Sequence, residues 1–430
     1  MADNVVGPNG FQFKSNAHDT QRQPDDVAQQ AIEAEFSEWM TPSNCDIKGR
    51  LSFNRLCRLA IDSRVFDGEA FIRVHWAGEY GMQLEVVDAK MIDHGFNQDR
   101  KDGSYIRFGI EYNNSDRAIA YHINKDAGGR SDFWSNYMQT MERERVPAEE
   151  MYHLFEEEWV GQRRGLPMLA TSLQTLKIAD DYEGSALNAA KMGAKSSLFA
   201  QAKEGHESLL YDDENNPIDI DLEVSEQDIT VLPAGFEIQS ARDPYPAGEF
   251  DQFMRRTLKR IFSGVGVDYS LGTNDLDGVN YSSLRHAARS EKDTYMSMQN
   301  WFKELFLMPL FKDWIERQYV LQNILIAGKP LSRDVNFYKA HDWQGRRWQS
   351  PDPTKDITAA EKLVEMKAAS VSSVIRENSQ RSPLEVFNEI AEEKKAMEQL
   401  GITASEVISS VKSEPQKEGA SQNNDETENE

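Results

Sequence analysis

Two short acidic motifs are where this sequence could hold chemistry. Asp219-Ile-Asp221 and Asp275-Leu-Asp277 each place two carboxylates two residues apart. That spacing lets a pair of carboxylates reach one hard cation, as in two-metal nucleases. Asp-x-Asp also makes turns and solvates surfaces, and with 72 acidic residues in the chain the turn reading is the stronger. The eight histidines, at 18, 75, 94, 122, 153, 206, 286 and 341, never pair at ligand spacing. Cys45 and Cys57 are the only cysteines and give neither a zinc spacing nor a disulfide framework. There is no phosphate-cradling Gly-Lys-Ser/Thr loop, no Gly-x-Gly-x-x-Gly after a strand, no His-Glu-x-x-His and no Gly-x-Ser-x-Gly elbow. The chain reads as a machine part and not an enzyme, with no cofactor and no metal expected.

Three other features stand out. Arg255, Arg256, Lys259 and Arg260 share the polar face of an amphipathic helix expected over Glu249 to Ser263, opposite Phe250, Phe253, Met254, Leu258, Ile261 and Phe262, with Gly264 as its stop. These bases either complement the helix dipole or form a surface for acidic neighbours or DNA. Ala186, Ala189, Ala190, Gly193, Ser197 and Ala200 form a stripe of small residues, suited to close packing between helices of one chain or of neighbouring copies. The loop Val267 to Ser283 carries Gly272, Asn274, Asp275, Asp277, Gly278 and Asn280, and is longer than a compact connection needs.

The elements around these features follow from length, charge and periodicity. The chain has 430 residues and a formal charge of −24, which argues against tight coating of DNA through a basic surface. Eight Trp, 14 Tyr and 20 Phe are too many large core formers for a disordered chain. No apolar run is long enough for a membrane span, and the start lacks a secretion signal. Val5-Val6-Gly7-Pro8 reads as a strand end and turn. Helices are expected over Asp26 to Met40 and Phe53 to Phe66. Period-two patterns through Phe71 to Trp76, Met82 to Val87, Ile106 to Tyr112, Ile119 to Ile123 and Met151 to Phe155 predict an antiparallel β region. Beyond Pro167 a helix is expected over Leu169 to about Ala202. Residues 205 to 246 are mixed, with an acidic run (Asp212, Asp213, Glu214) and a short strand at Ile229 to Leu232. A very long helix, Leu284 to Ile324, would start on a Ser283 cap, kink at Pro309 and span about 60 Å. Asp352-Pro353 and Ser382-Pro383 open two more helices, the first to about Ala369, the second ending near Leu400. From Ser413 the chain is an acidic tail expected to be disordered. The fold class is α+β.

The order of segments resembles the lambda-type family of bacteriophage portal proteins over residues 4 to about 402. The likeness starts at Asn4-Val5-Val6-Gly7-Pro8-Asn9-Gly10 and continues in Asp88-Ala89-Lys90-Met91-Ile92. It is strongest from Met151-Tyr152-His153-Leu154-Phe155 through Gly161-Gln162-Arg163-Arg164-Gly165-Leu166-Pro167, followed by Asp181-Tyr182-Glu183. It returns at Leu232 to Glu237, Ser263 to Tyr269, Asn280 to Ser283 with Arg285, and in Trp343, Pro351, Asp352, Pro353 and Lys355. Family members carry a substantial segment before the Val-Val-Gly element, where here three residues precede Asn4. That arm would help to build contacts to scaffold or capsid.

The resemblance implies a portal-like fold: an α/β wing (1–167), a first stem helix (168–204), a small clip (205–246), a second stem helix (247–266), a tunnel loop (267–283), a long kinked spine helix with its return (284–350) and a helical crown (351–412) before the tail (413–430). It implies a homo-oligomeric ring, a dodecamer, at a capsid vertex, through which double-stranded DNA is packaged and ejected without sequence-specific contact. Terminase, head-completion or tail-adaptor proteins, and major capsid or scaffold protein would be its partners. It would act in the virion and, during assembly, in the host cytoplasm. The tunnel-loop residues Asn274, Asp275, Asp277, Asn280, Tyr281 and Ser282 would face DNA, with the acids keeping phosphates from binding. The competing readings are a metal-dependent nucleic-acid enzyme using the Asp pairs, and a helical adaptor without a channel.

Overall fold

The fold was analysed in a computed structural model, which describes residues 1–124, 143–194, 198–202, 236–240, 250–326, 328–348, 353–379 and 383–400. Helices and sheets are both present, as an α+β chain requires. The chain divides into a larger unit, Met1–Val6 with Ser15–His341, and a smaller one, Gly7–Lys14 with Asp342–Glu430. No helix among the described residues is long and apolar enough to cross a membrane.

The larger unit is built on aromatic packing. Helix Asp26–Trp39 starts on Asp25, whose carboxylate accepts from Ala28 N at 3.1 Å, and buries Ala28, Ile32, Phe36 and Trp39 along one face. Helix Phe53–Phe66 buries Phe53, Leu56, Cys57, Ala60 and Ile61. Phe36 lies at the centre, edge-on to Trp314 at 4.8 Å and to Phe311 at 5.4 Å, and stacked on Trp39 at 5.2 Å. Trp39 donates its indole N–H to Met82 O at 2.8 Å, so its one polar group is satisfied inside the core. Cys45 and Cys57 are free and buried.

The expected β region resolves into two antiparallel sheets. One has strand Glu69–His75 between Gln83–Val87 and Met151–Phe155. The other runs Gln98–Asp99, Tyr105–Arg107, Ile110–Tyr112, Ala118–Asn124, Arg143–Pro147. Phe71, Ile92, Ile110, Tyr121, Ile123, Val146 and Met151 form one core cluster. Glu69 to Ile72 are all buried, because this strand is central and covered on both faces.

Several boundaries differ from expectation for identifiable reasons. Val5 lies in a short helix, Ala2–Val5, whose Val5 carbonyl accepts from Gln299 Nε2 at 2.9 Å, so a tertiary bond overrides the strand tendency of Val5-Val6. The helix from the Leu169 region covers Leu173–Ala194, and Leu198–Ala202 is a strand paired with Phe236–Ser240. Ala200 therefore belongs to that ladder and not to the small-residue stripe. The basic helix runs Phe250–Val265, through Gly264. Gly266, at φ +73°, is the left-handed residue behind it, while a Cβ on Gly264 would stand 2.7 Å from Ser172 Oγ. The long helix starts at Tyr281, not Leu284, because Asn280 and not Ser283 caps it, its Oδ1 accepting from Ser283 N at 2.8 Å. Its irregularity is a π-helical turn at Lys303–Leu307, between Tyr281–Phe302 and Met308–Leu321. Pro309 lacks an N–H and its ring would strike the carbonyl four residues back, and a widened turn just ahead of it removes that clash.

In the smaller unit, Phe13 packs on Trp343 with centroids 5.1 Å apart. Helices Pro353–Glu365, Val371–Asn378 and Pro383–Leu400 follow. The first stops short of Ala369, since Lys367 adopts φ +59°. The unexpected middle helix has a reciprocal capping box between Ser370 and Ser373.

Candidate functional site

Helices Leu173–Ala194 and Phe250–Val265 pack against each other in opposite directions. Tyr182 stacks on Phe250 at 5.5 Å and meets Phe253 at 4.6 Å, and at the other end Ser172 Oγ donates to Ile261 O at 3.5 Å. Ala179, Ala186 and Ile261 are buried in this region. Ala189 and Ala190 of the small-residue stripe are half-buried, Gly193 lies in the last turn of its helix, and Ser197 lies outside the described residues.

The four bases of the second helix divide two and two. Arg255 turns to the loop behind the helix. Its Nη2 is 3.0 Å from Asp277 Oδ2, and its Nε is 3.4 Å from Asp275 Oδ2 and 3.0 Å from Asp251 Oδ2. Lys259, one turn on, sits over the Tyr269 ring at 5.4 Å. Arg256 and Arg260 are exposed.

The loop is more ordered than its composition suggests. Asp268 caps a short helix, Tyr269–Thr273, and Asn274 follows it at φ +56°. Tyr269 donates its hydroxyl to Asp275 Oδ2 at 2.7 Å, and Asp277 N donates to Asp275 Oδ1 at 3.2 Å. The bond from Tyr269, then that from the Asp277 amide and the Arg255 charge, hold the Asp275 carboxyl below its usual range. Asp277 stays exposed, Asn280 is spent on the helix cap, and Tyr281 and Ser282 form the first turn of the long helix. The structure thus ties basic-face and loop residues into one unit, a link that their spacing alone did not indicate. Asp219 and Asp221 lie outside the described residues, as do the acidic run, the Ile229 to Leu232 strand and the tail from Ser413.

Ahead of the first of these helices in the chain lies a buried ionic cluster that sequence reasoning missed. His153 and Arg164, both in the run with the strongest family likeness, converge on Glu69. Arg164 holds Glu69 Oε1 with Nη2 at 2.6 Å and Nε at 2.7 Å. His153 Nε2 lies 2.8 Å from Oε2, and Gly165 N donates to the same oxygen at 3.1 Å. Arg164 also donates to the carbonyls of Phe108 at 2.9 Å and Ile92 at 3.3 Å. The His153 ring is stacked by Phe71 at 4.3 Å and Phe155 at 4.4 Å. Burial pushes the Glu69 carboxyl up, but the bonds from His153 and Arg164 together hold it below its usual range. Burial lowers the His153 imidazole against the pull of Glu69. A Cβ on Gly165 would fall 2.1 Å from the Gly68 carbonyl oxygen, and one on Gly68, itself at φ +87°, would fall 2.1 Å from the Leu166 carbonyl carbon, so neither has room for a side chain. Gln162, also in this run, is buried and donates to Arg164 O at 2.9 Å. The run is a clasp that fixes the chain leaving the central sheet just before helix Leu173–Ala194. Burial of a lone Glu at a strand start was the signal that the sequence could not display.

A second buried carboxylate, Glu111, is satisfied by Arg100 at 2.7 Å, Arg145 at 2.8 Å and His122 at 3.2 Å. Both clusters match each buried charge with partners, as structural ion pairs must.

The arrangement is that of a scaffold carrying a braced helix pair and an acidic loop, and comparison with known proteins gives its class. The profile described as phage portal protein, lambda family, matches residues 1–299. The chain belongs to that family. It is 28% identical over 409 residues to a probable portal protein of Halomonas phage phiHAP-1, spanning 94% of this chain and 77% of that protein. It is 21% identical over 393 residues to portal protein B of Escherichia phage lambda, spanning 81% and 70% of the two chains. Among solved structures it is similar to a chain in the neck of an empty gene transfer agent particle, with 13% identity, TM-score 0.43 and coverage of 87% and 86%.

Proposed function

We propose that this chain is the subunit of a portal: a ring at one capsid vertex whose channel admits DNA during packaging and releases it at ejection. The match to the portal profile over residues 1–299 carries this reading. In it, Leu173–Ala194 and Phe250–Val265 are the stem, residues 205–246 between them the clip that docks terminase and later the head-completion or tail-adaptor proteins, and 267–283 the tunnel loop. The segment before the stem is the wing, which would meet capsid or scaffold protein. The π-interrupted helix Tyr281–Leu321 is its spine, and the helices from Pro353 onward are the crown. The ring works in the virion and is assembled in the host cytoplasm.

A net charge of −24 suits a conduit that must not bind phosphate. The pairing of Asp275 and Asp277 with Arg255 favours a braced, passive loop over a catalytic cation site. Negative-stain microscopy and native mass of the purified chain test the ring: particles approaching twelve times 49.0 kDa with a central pore are expected. Only small, poreless species would refute it. Deleting Asn274 to Gly278 should preserve rings and impair packaging or DNA retention. Normal packaging by that deletion would remove the loop from the DNA path.

A further inference from the structure

The helix pair Leu173–Ala194 and Phe250–Val265 has two outer sides of opposite charge. The packed seam of the first helix is marked by Ser172, Ala179, Tyr182 and Ala186, and that of the second by Phe250, Phe253, Ile261 and Gly264. At roughly 100° per residue, Asp180 and Glu183 stand about a quarter-turn from the first seam, and Arg256 and Arg260 about a quarter-turn from the second. Seen along one common direction, both quarter-turns run in the same rotational sense, because the helices are antiparallel. The helices face each other, so equal senses put the two patches on opposite sides of the pair. All four side chains are exposed. Among the described residues, the ion pairs of helix Phe250–Val265 and the loop after it, those of Arg255 with Asp251, Asp275 and Asp277, involve none of them. Leu173 and Leu187, 56% and 55% exposed, lie on the acidic side, one before and one after the acidic pair along the helix, with Lys191 at its outward edge.

We propose that the acidic side of one copy, Asp180 and Glu183, docks on the basic side of the next, Arg256 and Arg260, and that this contact sets the spacing of subunits in the ring. It rests on the portal reading above. A contact between unlike sides is head-to-tail, and such contacts generate rings when the rotation closes, whereas like sides would repel. The occupant is a second copy because the same pair of helices carries both complementary patches. Taking Tyr182 level with Phe250 and Phe253, and Ser172 level with Ile261, the patches differ in height by about six residues, roughly 9 Å. Neighbouring pairs therefore meet tilted, with the long arginine side chains reaching across.

The test is a charge swap in the full chain. R256E/R260E and D180K/E183K are each expected to raise the concentration needed for half-assembly about tenfold or more, by sedimentation and negative stain. Circular dichroism and melting should stay near those of the parent, since the sites are exposed. The four-fold variant, with both patches reversed, should recover rings. Raised salt should weaken assembly of the parent and of the four-fold variant alike. Undiminished assembly of both double variants, or loss in both without recovery in the combination, would overturn the proposal while leaving the portal reading intact. A parent chain that forms no ring at any concentration would overturn both.

Discussion

Replacing Arg164 by Ala should be among the most damaging single changes away from the aromatic core. The guanidinium makes three hydrogen-bonding contacts of 3.0 Å or less to Glu69, through Nε and Nη2, and Glu69 is 3% exposed. Removing it strands a buried carboxylate with only His153 and Gly165 N as partners and frees the carbonyls of Phe108 and Ile92. Breaking a buried pair from one side costs about 3–5 kcal/mol. At about 2.1 cal/mol/K of unfolding entropy per residue, the larger unit of about 330 residues shifts by roughly 1.4 °C per kcal/mol, so the melting temperature should fall by about 4–7 °C.

The pH dependence separates charge from lost packing. In the parent, the folded Glu69 value lies below the unfolded one, so its stabilisation is complete above the unfolded value of 4.5 and is lost as pH falls through the folded value. Without the Arg164 bonds and charge, burial is opposed by His153 with less help, and the carboxyl rises from its value in the parent. Glu69 can then protonate in the folded state, which relieves the variant but not the parent. The Arg164 charge also helps to lower the His153 imidazole, so its removal eases protonation of His153 below its ordinary 6.5. Both effects have the same sign: the deficit is greatest near pH 7–8 and shrinks on acidification. Urea unfolding of parent and R164A at pH 7.5, 6 and 4.5 reads this directly. A deficit under about 1 kcal/mol, or one that does not change with pH, would refute the buried-charge account.

Gly165→Ala places a Cβ against the Gly68 carbonyl, and this overpacking should cost about 1–3 kcal/mol, read as a lower urea midpoint with unchanged slope. Arg255→Ala should leave the melting temperature unchanged but speed amide exchange over Tyr269 to Asp277, because the loop loses its tie to the helix. Unchanged exchange would mean that the Tyr269 bond and the Asp268 cap hold the loop unaided.

How much could be read from the sequence depends on the distance between interacting residues. Helix Asp26–Trp39 was legible because its cap, Asp25, and its buried face all lie within one short window. The amphipathic face of Phe250–Val265 was legible for the same reason, but its end was misplaced by two residues. Gly264 and Gly266 look alike in sequence, and only the approach of Ser172 distinguishes a packing glycine from a terminating one. The strand Leu198–Ala202 depends on a partner, Phe236–Ser240, more than thirty residues away, and local periodicity cannot supply that. The Glu69 cluster draws on positions 84 and 95 residues away, so an isolated acid at a strand start gave no sign of it.

The most recognisable run of the chain is a clasp because its residues depend on one another. Glu69 is stable in the core only if a bidentate arginine, an imidazole and a backbone N–H arrive together, and the two chain segments can lie this close only if Gly165 lacks a Cβ against Gly68 and Gly68 lacks one against Leu166. Every member of that set constrains the others, so identity and spacing are fixed at once, which makes a motif. A surface that must let phosphate pass needs only the sign of its charge, and many residue combinations provide it. If the loop faces DNA as proposed, Asp275 and Asp277 would satisfy such a requirement while bonding Arg255, and a Glu in either place would serve the sign equally well. Arg256 and Arg260 are likewise specified by charge and helix face, not by a shaped partner within the chain. The residues proposed to meet DNA or a neighbouring copy are therefore the ones that carry the weakest signature. They emerge only when helix direction, packing seam and exposure are considered together.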